Sequence, residues 1–267
     1  MTMTKLLVVG GGKMGEALIA GLIGSGRMSA SEFLVVEPDG PRAAALATIH
    51  GVTTASGLEL CSLDPKTFDA LIAVKPGTVA DVCRELAGRV GRVLSIAAGV
   101  TTATMEAALG AETPVVRSMP NTPALVGVGA SAIAPGRCAS DDDLDWAAGI
   151  LGAVGLVERV DEKLLDAVTG LSGSGPAYLF LVAEALVDGG VAQGLPRSVA
   201  VTLAHQTIAG AGRLLVESGD QAAQLRANVT SPGGTTAAGL RALESAGVRS
   251  AFIEAVAAAT RRAAELG

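Results

Sequence analysis

Short, wholly apolar runs alternate with longer, mixed ones along the first 160 residues. The runs at 5–9, 33–36, 70–74, 93–97, 114–117, 130–134 and 155–160 read as strands, and 16–23, 79–86, 102–109 and 141–151 read as helices. Alternation of β and α predicts a mostly parallel, doubly wound sheet. From residue 161 the strand signals stop. Segments 164–168, 176–188, 197–218, 235–246 and 250–266 read as helices, with Gly189-Gly190, Gly219 and Gly247 as stops and Pro196 as a start. Residues 177–187 are apolar all round, which predicts burial on every side. A small bundle offers too little cover for such a helix, so a homodimer formed mainly through the second half is expected. The expected division is 1–161 for the sheet and 162–267 for the helices.

Composition trims the range of functions. Of the 267 residues, 49% are apolar and 17% charged, which excludes a disordered chain. A net charge of −6 and 2% aromatics offer neither a basic surface nor stacking platforms for nucleic acid. Cys61, Cys83 and Cys138 are far apart and odd in number. They fit neither a zinc site nor a disulfide framework, and a reducing cytoplasm is the expected compartment. The chain runs straight into 5–9 with no signal-peptide layout. The apolar run 176–187 is broken by Glu184 and too short to cross a bilayer, so no membrane partner is expected.

Candidate chemistry begins at Gly10-Gly11-Gly12-Lys13-Met14-Gly15. Gly10, Gly12 and Gly15 have the G-x-G-x-x-G spacing of a dinucleotide-binding turn, and they sit between a strand and a helix. In that arrangement the first glycine makes the tight turn, the second admits the pyrophosphate and the third lets helix pack on strand. Glu37 ends the second strand 22 positions past Gly15, where an acid holds the ribose 2′-hydroxyl of NAD; the bland reading is a solvated loop carboxylate. Arg42 nearby suits a 2′-phosphate, which leaves NADP open. The crevice of such a sheet lies beyond the carboxyl ends of its strands. The loops at Ala73-Val74-Lys75-Pro76, Ala97-Ala98-Gly99 and Asn121 fall there with Gly10 and Glu37. Lys75 reads first as a cofactor contact and second as an acid. Asn121 reads either as turn chemistry or as an amide near a nicotinamide.

The second half contributes Val229-Thr230-Ser231-Pro232-Gly233-Gly234-Thr235-Thr236. Ser231 reads as a helix cap with Pro232 in the first position, so the N–H groups of Gly233, Gly234 and Thr235 are expected to open a positive helix end suited to a carboxylate or phosphate. An ordinary Ser-Pro helix start is the alternative. Leu171-Ser172-Gly173-Ser174-Gly175-Pro176 interrupts the helical pattern, as a hinge or a substrate loop. The chain has two histidines, His50 and His205, and the second reads as a core or interface residue. No His–acid pair for proton transfer to an alcohol oxygen is evident, nor a metal cluster, nor a nucleophile–histidine arrangement.

These motifs resemble the pyrroline-5-carboxylate reductase family over essentially the whole chain, through segments 10–15, 73–76, 97–101, 119–123, 166–178 and 229–236. The resemblance implies an N-terminal Rossmann domain followed by an all-helical dimerisation domain, in dimers that often assemble into decamers. It implies reduction of 1-pyrroline-5-carboxylate to L-proline with NADPH or NADH. Glu162, Asn228, Ser231, Gly233, Gly234, Thr235 and Thr236 would border the substrate, with the Thr236 hydroxyl on the ring nitrogen. Gly10, Gly12, Lys13, Met14, Glu37, Ala73, Val74, Lys75, Pro76, Ala98, Gly99 and Asn121 would line the cofactor. Glu37 departs from the Ser, Asn or Arg of NADPH-preferring members and leans toward NADH. Two rivals share parts of this pattern: a β-hydroxyacid dehydrogenase or imine reductase, and a non-catalytic dinucleotide sensor.

Overall fold

A computed structural model describes residues 5–110 and 112–266. Eight strands form one sheet: β1 (Lys5–Val9), β2 (Phe33–Val36), β3 (Thr53–Ala55), β4 (Phe68–Ile72), β5 (Val93–Ser95), β6 (Val115–Met119), β7 (Gly129–Pro135) and β8 (Gly155–Arg159). Their order is β3-β2-β1-β4-β5-β6-β7-β8. Pairs from β3 to β6 are parallel, β7 runs antiparallel to β6, and β8 follows β7 in parallel. Strand order reverses between β1 and β4, the switch point where open α/β sheets bind ligands.

The alternation of side chains along the strands makes two cores. Leu6, Val8, Val35, Leu71, Leu94 and Val116 face one side with α1 (Lys13–Gly24), α2 (Gly40–His50) and α5 (Asp141–Leu151), which contribute Leu18, Leu22, Leu46, Ala147 and Ile150. Leu7, Val9, Ala70, Ile72, Val93 and Val115 face the other side with α3 (Val79–Leu86) and α4 (Thr102–Leu109), which add Cys83, Leu86, Met105 and Leu109. Each fully buried leucine or valine is worth ~1.5–3 kcal/mol of burial. Arg92 ties the strand edges to α5: it bonds Asp69 at 3.0 Å and Asp143 at 3.3 Å, with its guanidinium 4.5 Å from the Trp146 ring centre.

The expected strands are present, with ends displaced by a few residues. Two elements of the sheet half escape the apolar pattern: α2 and the three-residue edge strand β3. Gly40-Pro41 followed by small residues hides the helix, yet Asp39 caps it by accepting from the Arg42 N–H at 2.8 Å and Pro41 sits in its first turn.

After β8 the chain forms α6 (Leu165–Val168), a π-helical turn (Thr169–Gly173), α7 (Gly175–Ala192), α8 (Arg197–Glu217), α9 (Ala222–Asn228), α10 (Thr235–Ser245) and α11 (Val248–Leu266). The short α9 carries too little pattern to be read from sequence. Gly189 and Gly190 do not stop α7, which continues to Ala192 before Gly194 adopts φ +95°. Gly190 serves close packing: a Cβ there would stand 3.3 Å from the Ala200 methyl of α8. The Ser-Gly interruption at 171–176 spans the end of the π-helical turn, a bend at Ser174 and the start of α7.

The chain divides into two compact units, 5–174 with 257–266, and 175–256. The stretch 162–174 packs with the sheet because Leu165 is buried with Ala132 and Ala134. In the second unit the buried cluster is small: Val187, Ala200 and Ala204, with Val201 against it. His205 is exposed in the single chain and lines a cavity of about 260 Å³ with Phe180, Glu184 and Arg197, so it is not a core residue.

Candidate active site

The glycine turn after β1 has the geometry a dinucleotide needs. Gly10 has φ +103°, and a Cβ there would stand 2.6 Å from the Ala73 carbonyl oxygen, so the loops after β1 and β4 meet backbone to backbone. A Cβ on Gly15 would collide with the Gly10 carbonyl, which is the close approach of helix to strand. A Cβ on Gly12 would meet no atom within 4 Å: the position is open. Gly12 is also the N-cap of α1 and has no side chain to bond the free N–H groups of the first turn. An open glycine over an uncapped helix start fits a pyrophosphate.

Beside the turn, a cleft of about 270 Å³ is lined by Met14, Ala73, Val74, Pro76, Ile96, Ala97, Ala98, Met119 and Pro120. It gathers four segments 14, 73–76, 96–98 and 119–120 at the carboxyl ends of β1, β4, β5 and β6. Lys75 is exposed next to it and caps the short turn Pro76–Thr78, its carbonyl accepting from the Thr78 N–H at 3.0 Å.

Glu37 is anchored across the glycine turn. Its Oε2 accepts from the Gly11 N–H at 2.9 Å and its Oε1 from the Asp39 N–H at 3.0 Å. Arg42 grips the same glycine through its next peptide group, donating from Nε to the Gly11 carbonyl at 2.7 Å and from Nη2 to Glu16 at 2.6 Å. His50 Nε2 lies 3.1 Å from the second Glu16 oxygen. The Arg42 bond, then the His50 bond, hold the Glu16 carboxyl below the usual carboxylate range. The Glu16–His50 contact carries no signal in the sequence, because its partners lie 34 positions apart on α1 and α2.

Asn121 is buried and spends both ends of its amide within the protein. Its Nδ2 donates to the Ser172 carbonyl at 3.1 Å, and its Oδ1 accepts from the Ala130 N–H at 2.8 Å. It joins the β6–β7 loop to the π-helical turn, where a Cβ on Gly173 would stand 2.5 Å from the Met119 methyl.

Glu162 is equally committed. Oε1 accepts from the Thr102 N–H at 2.7 Å and from Arg117 Nη1 at 3.2 Å, while Oε2 accepts from the Thr102 hydroxyl at 2.6 Å. Arg117 is nearly buried on β6 and also faces Asp166 at 3.6 Å. Burial alone would push the Glu162 carboxyl up; the two Thr102 bonds and the Arg117 guanidinium outweigh it and set the carboxyl below its ordinary value. Glu162 thus clamps the first turn of α4, just past Gly99. Thr102 and Arg117 are the residues of this cluster that sequence reasoning missed.

In the second unit, the 229–236 loop departs from the expected cap. Helix α10 begins at Thr235, not Pro232, and its N-cap is Gly234. The Gly234 N–H donates to the Ser231 carbonyl at 3.1 Å, and Gly233 between them has φ +70°. Serine first, proline second and a left-handed glycine third make the pattern of a type II turn, which holds the chain out of the helix for one more turn. The helix end therefore opens through the N–H groups of 235–237, with the exposed Thr235 and Thr236 on its first turn. A side chain on Gly234 would collide with the Ser231 hydroxyl, so the glycine keeps that oxygen against the helix end. Asn228 ends α9, its Oδ1 accepting from Gln224 at 2.7 Å.

A mostly parallel sheet with an open glycine cradle at its switch point, joined to a helical second half, defines a dinucleotide-dependent oxidoreductase. Two family models match the chain: pyrroline-5-carboxylate reductase dimerisation over 162–266, and NADP oxidoreductase, coenzyme F420-dependent, over 5–99. A pyrroline-5-carboxylate reductase of Synechocystis is 45% identical, covering 98% of both chains. The structure of a pyrroline-5-carboxylate reductase from Coxiella burnetii superposes with a TM-score of 0.92 at 36% identity, covering 99% of this chain and 98% of that one. A Plasmodium falciparum pyrroline carboxylate reductase solved with NADP bound has a TM-score of 0.85 at 30% identity, covering 100% and 99%. The chain belongs to the pyrroline-5-carboxylate reductase family. Identity at this level over the full length to proteins named as pyrroline-5-carboxylate reductases favours that enzyme over the hydroxyacid dehydrogenase and sensor readings.

Proposed function

We propose that the protein reduces 1-pyrroline-5-carboxylate to L-proline with a reduced nicotinamide dinucleotide, the last step of proline biosynthesis. The observation that carries this reading beyond family membership is the Ser231–Gly234 turn, which presents an open helix start with two threonine hydroxyls and a serine hydroxyl beside it. Such an end suits one small carboxylate.

The labour divides at 161/162. The first part holds the dinucleotide: Gly10, Gly12, Lys13 and Met14 take the pyrophosphate, Glu37 takes the adenosine ribose, and Ala73, Val74, Lys75, Pro76, Ala98, Gly99 and the Asn121 loop line the remainder. Glu37 favours NADH over NADPH, because a carboxylate accepts from a ribose hydroxyl and repels a phosphate. When bound, the reduced nicotinamide supplies the hydride that adds to the imine carbon. The second part holds the substrate. The N–H groups at the start of α10, with Ser231, Gly233 and Gly234, take the carboxylate. Thr235 and Asn228 border the ring, and Glu162 braces the α4 start next to Gly99. The Thr236 hydroxyl bonds the ring nitrogen and holds the proton that nitrogen keeps in the product amine. A protonated imine accepts hydride readily, so the chain's main work is positioning.

The working form is a homodimer made through the second half, with dimers gathered into a decamer, soluble in the cytoplasm and with no nucleic-acid partner. By length and composition, the helical stretches Glu162–Ala192 and Arg197–Glu217 are apolar enough to cross a membrane. A second copy of the chain is the better cover, since Glu184, Asp188 and Arg213 interrupt the apolar faces of α7 and α8.

Mixing the protein, either reduced coenzyme and pyrroline-5-carboxylate, and following coenzyme absorbance, tests the activity. Thr236→Ala is expected to lower kcat roughly 100-fold while the coenzyme Kd stays as it was. Wild-type turnover in that variant would remove Thr236 from the chemistry.

A further inference from the structure

Two side chains hold the backbone of Gly11 at once, and the second partner of one of them bears on what else can bind there. Glu37 takes its N–H and Arg42 its carbonyl. Arg42 lies in the first turn of α2, just past the end of β2, where a 2′-phosphate on the adenosine ribose would come to lie. Yet Arg42 is turned back onto α1, its Nη2 2.6 Å from Glu16. His50, at the end of α2, holds the other Glu16 oxygen at 3.1 Å and so fixes the carboxylate toward Arg42. The groups around this corner are Glu16, Glu37 and Asp39 against Arg42, with His50 beside them. Three carboxylates outnumber one guanidinium, and a phosphate carrying roughly −1.5 to −2 would meet a net negative surface.

We propose that Glu16 is a specificity-determining residue: by holding Arg42 against the glycine turn it withholds that guanidinium from a 2′-phosphate, and so acts with Glu37 to favour NADH. Glu16 works through Arg42 and is a positioning residue, not a catalytic one. The proposal rests on the dinucleotide reading of the glycine turn. It differs from the role of Glu37 because Glu37 repels the phosphate directly, whereas Glu16 removes the cation that would attract it.

The test is equilibrium binding of NADH and NADPH to the intact protein, followed by the fluorescence of the reduced coenzyme, with no substrate present. Glu16→Gln is expected to lower the Kd for NADPH about fivefold relative to that for NADH, the scale of one partly exposed ion pair. In an Arg42→Ala background the same change is expected to leave the Kd ratio where Arg42→Ala alone puts it, and Arg42→Ala alone is expected to move the wild-type ratio less than about twofold. If Glu16→Gln alters both coenzymes equally, or shifts the ratio just as far without Arg42, Glu16 is only a staple between α1 and α2 and the proposal falls. If Arg42→Ala alone weakens NADPH strongly, Arg42 already serves the phosphate and the proposal falls as well. Saturable binding of neither coenzyme to the wild type would remove the dinucleotide reading itself, a result distinct from an unchanged ratio.

Discussion

Leu71 and Ile72 in the middle of the sheet are wholly buried, whereas Phe180 and Leu181 on α7, just as apolar, are 64% and 66% exposed in the single chain. The contrast runs through the two units. The sheet carries helices on both faces, so the central strands β1, β4, β5 and β6 find nearly all their cover within their own chain. The second unit buries Val187, Ala200 and Ala204 together and leaves Leu203, Val216 and Ile253 in the open. An apolar sequence says that a surface must be covered, and it does not say by what. The family's dimerisation model over 162–266 supports a homo-oligomer, and a second copy of the chain would supply such cover. The surplus of apolar helix surface is consistent with that homo-oligomer.

That contrast can be broken at either end. The largest effect is expected in the sheet, where Leu71→Ala leaves a cavity between two packed faces; it should cost ~2–5 kcal/mol in denaturant unfolding, and a loss under 1 would mean that the core relaxes freely. Next comes the pair Phe180→Asp with Leu181→Asp. These charges lie on surface exposed in one chain, so the sheet unit should keep its fold by circular dichroism while light scattering reports the mass of a smaller assembly. An unchanged mass would show that this face of α7 is not the covered one. The smallest effect is expected where the sheet half is braced, at Glu162. Its carboxyl titrates below the ordinary 4.5 when folded, so its contribution is complete above pH 4.5 and fades as the pH falls through the lower folded value. Glu162→Gln should therefore unfold ~1 kcal/mol more easily at pH 7, with the gap closing on acidification. A gap that does not narrow at all on acidification would show that the bonds from Thr102 and Arg117 do not depend on its charge.

Much of this was legible in the sequence, for reasons that differ from element to element. The strands of a parallel sheet covered on both faces are continuous apolar runs, so β1, β4 and β5 announce themselves. The glycine turn is legible because its spacing between a strand and a helix is a local pattern: Gly10 and Gly15 answer close backbone approaches, and Gly12 leaves an open position. The three residues of β3 and the seven of α9 are too short to set up a period. The start of α10 was misplaced by one turn: Ser-Pro suits a helix start, but a left-handed Gly233 makes the same residues a turn. Gly189-Gly190 looked like a stop, and the close approach of α8 made it a contact.

Local pattern along the chain determined the sheet half, the helical half and the family, because strand runs, glycine turns and helix stops are decided within a few neighbouring residues. Only the tertiary structure decided where the polar side chains spend their bonds. Glu162 meets Thr102 across 60 positions, Asn121 meets Ser172 across 51, and Arg42 meets Gly11 across 31. Such partners become neighbours only when the strands between them have taken their places. Each bond goes to whatever group the fold brings within 3 Å or so, and no local pattern records that.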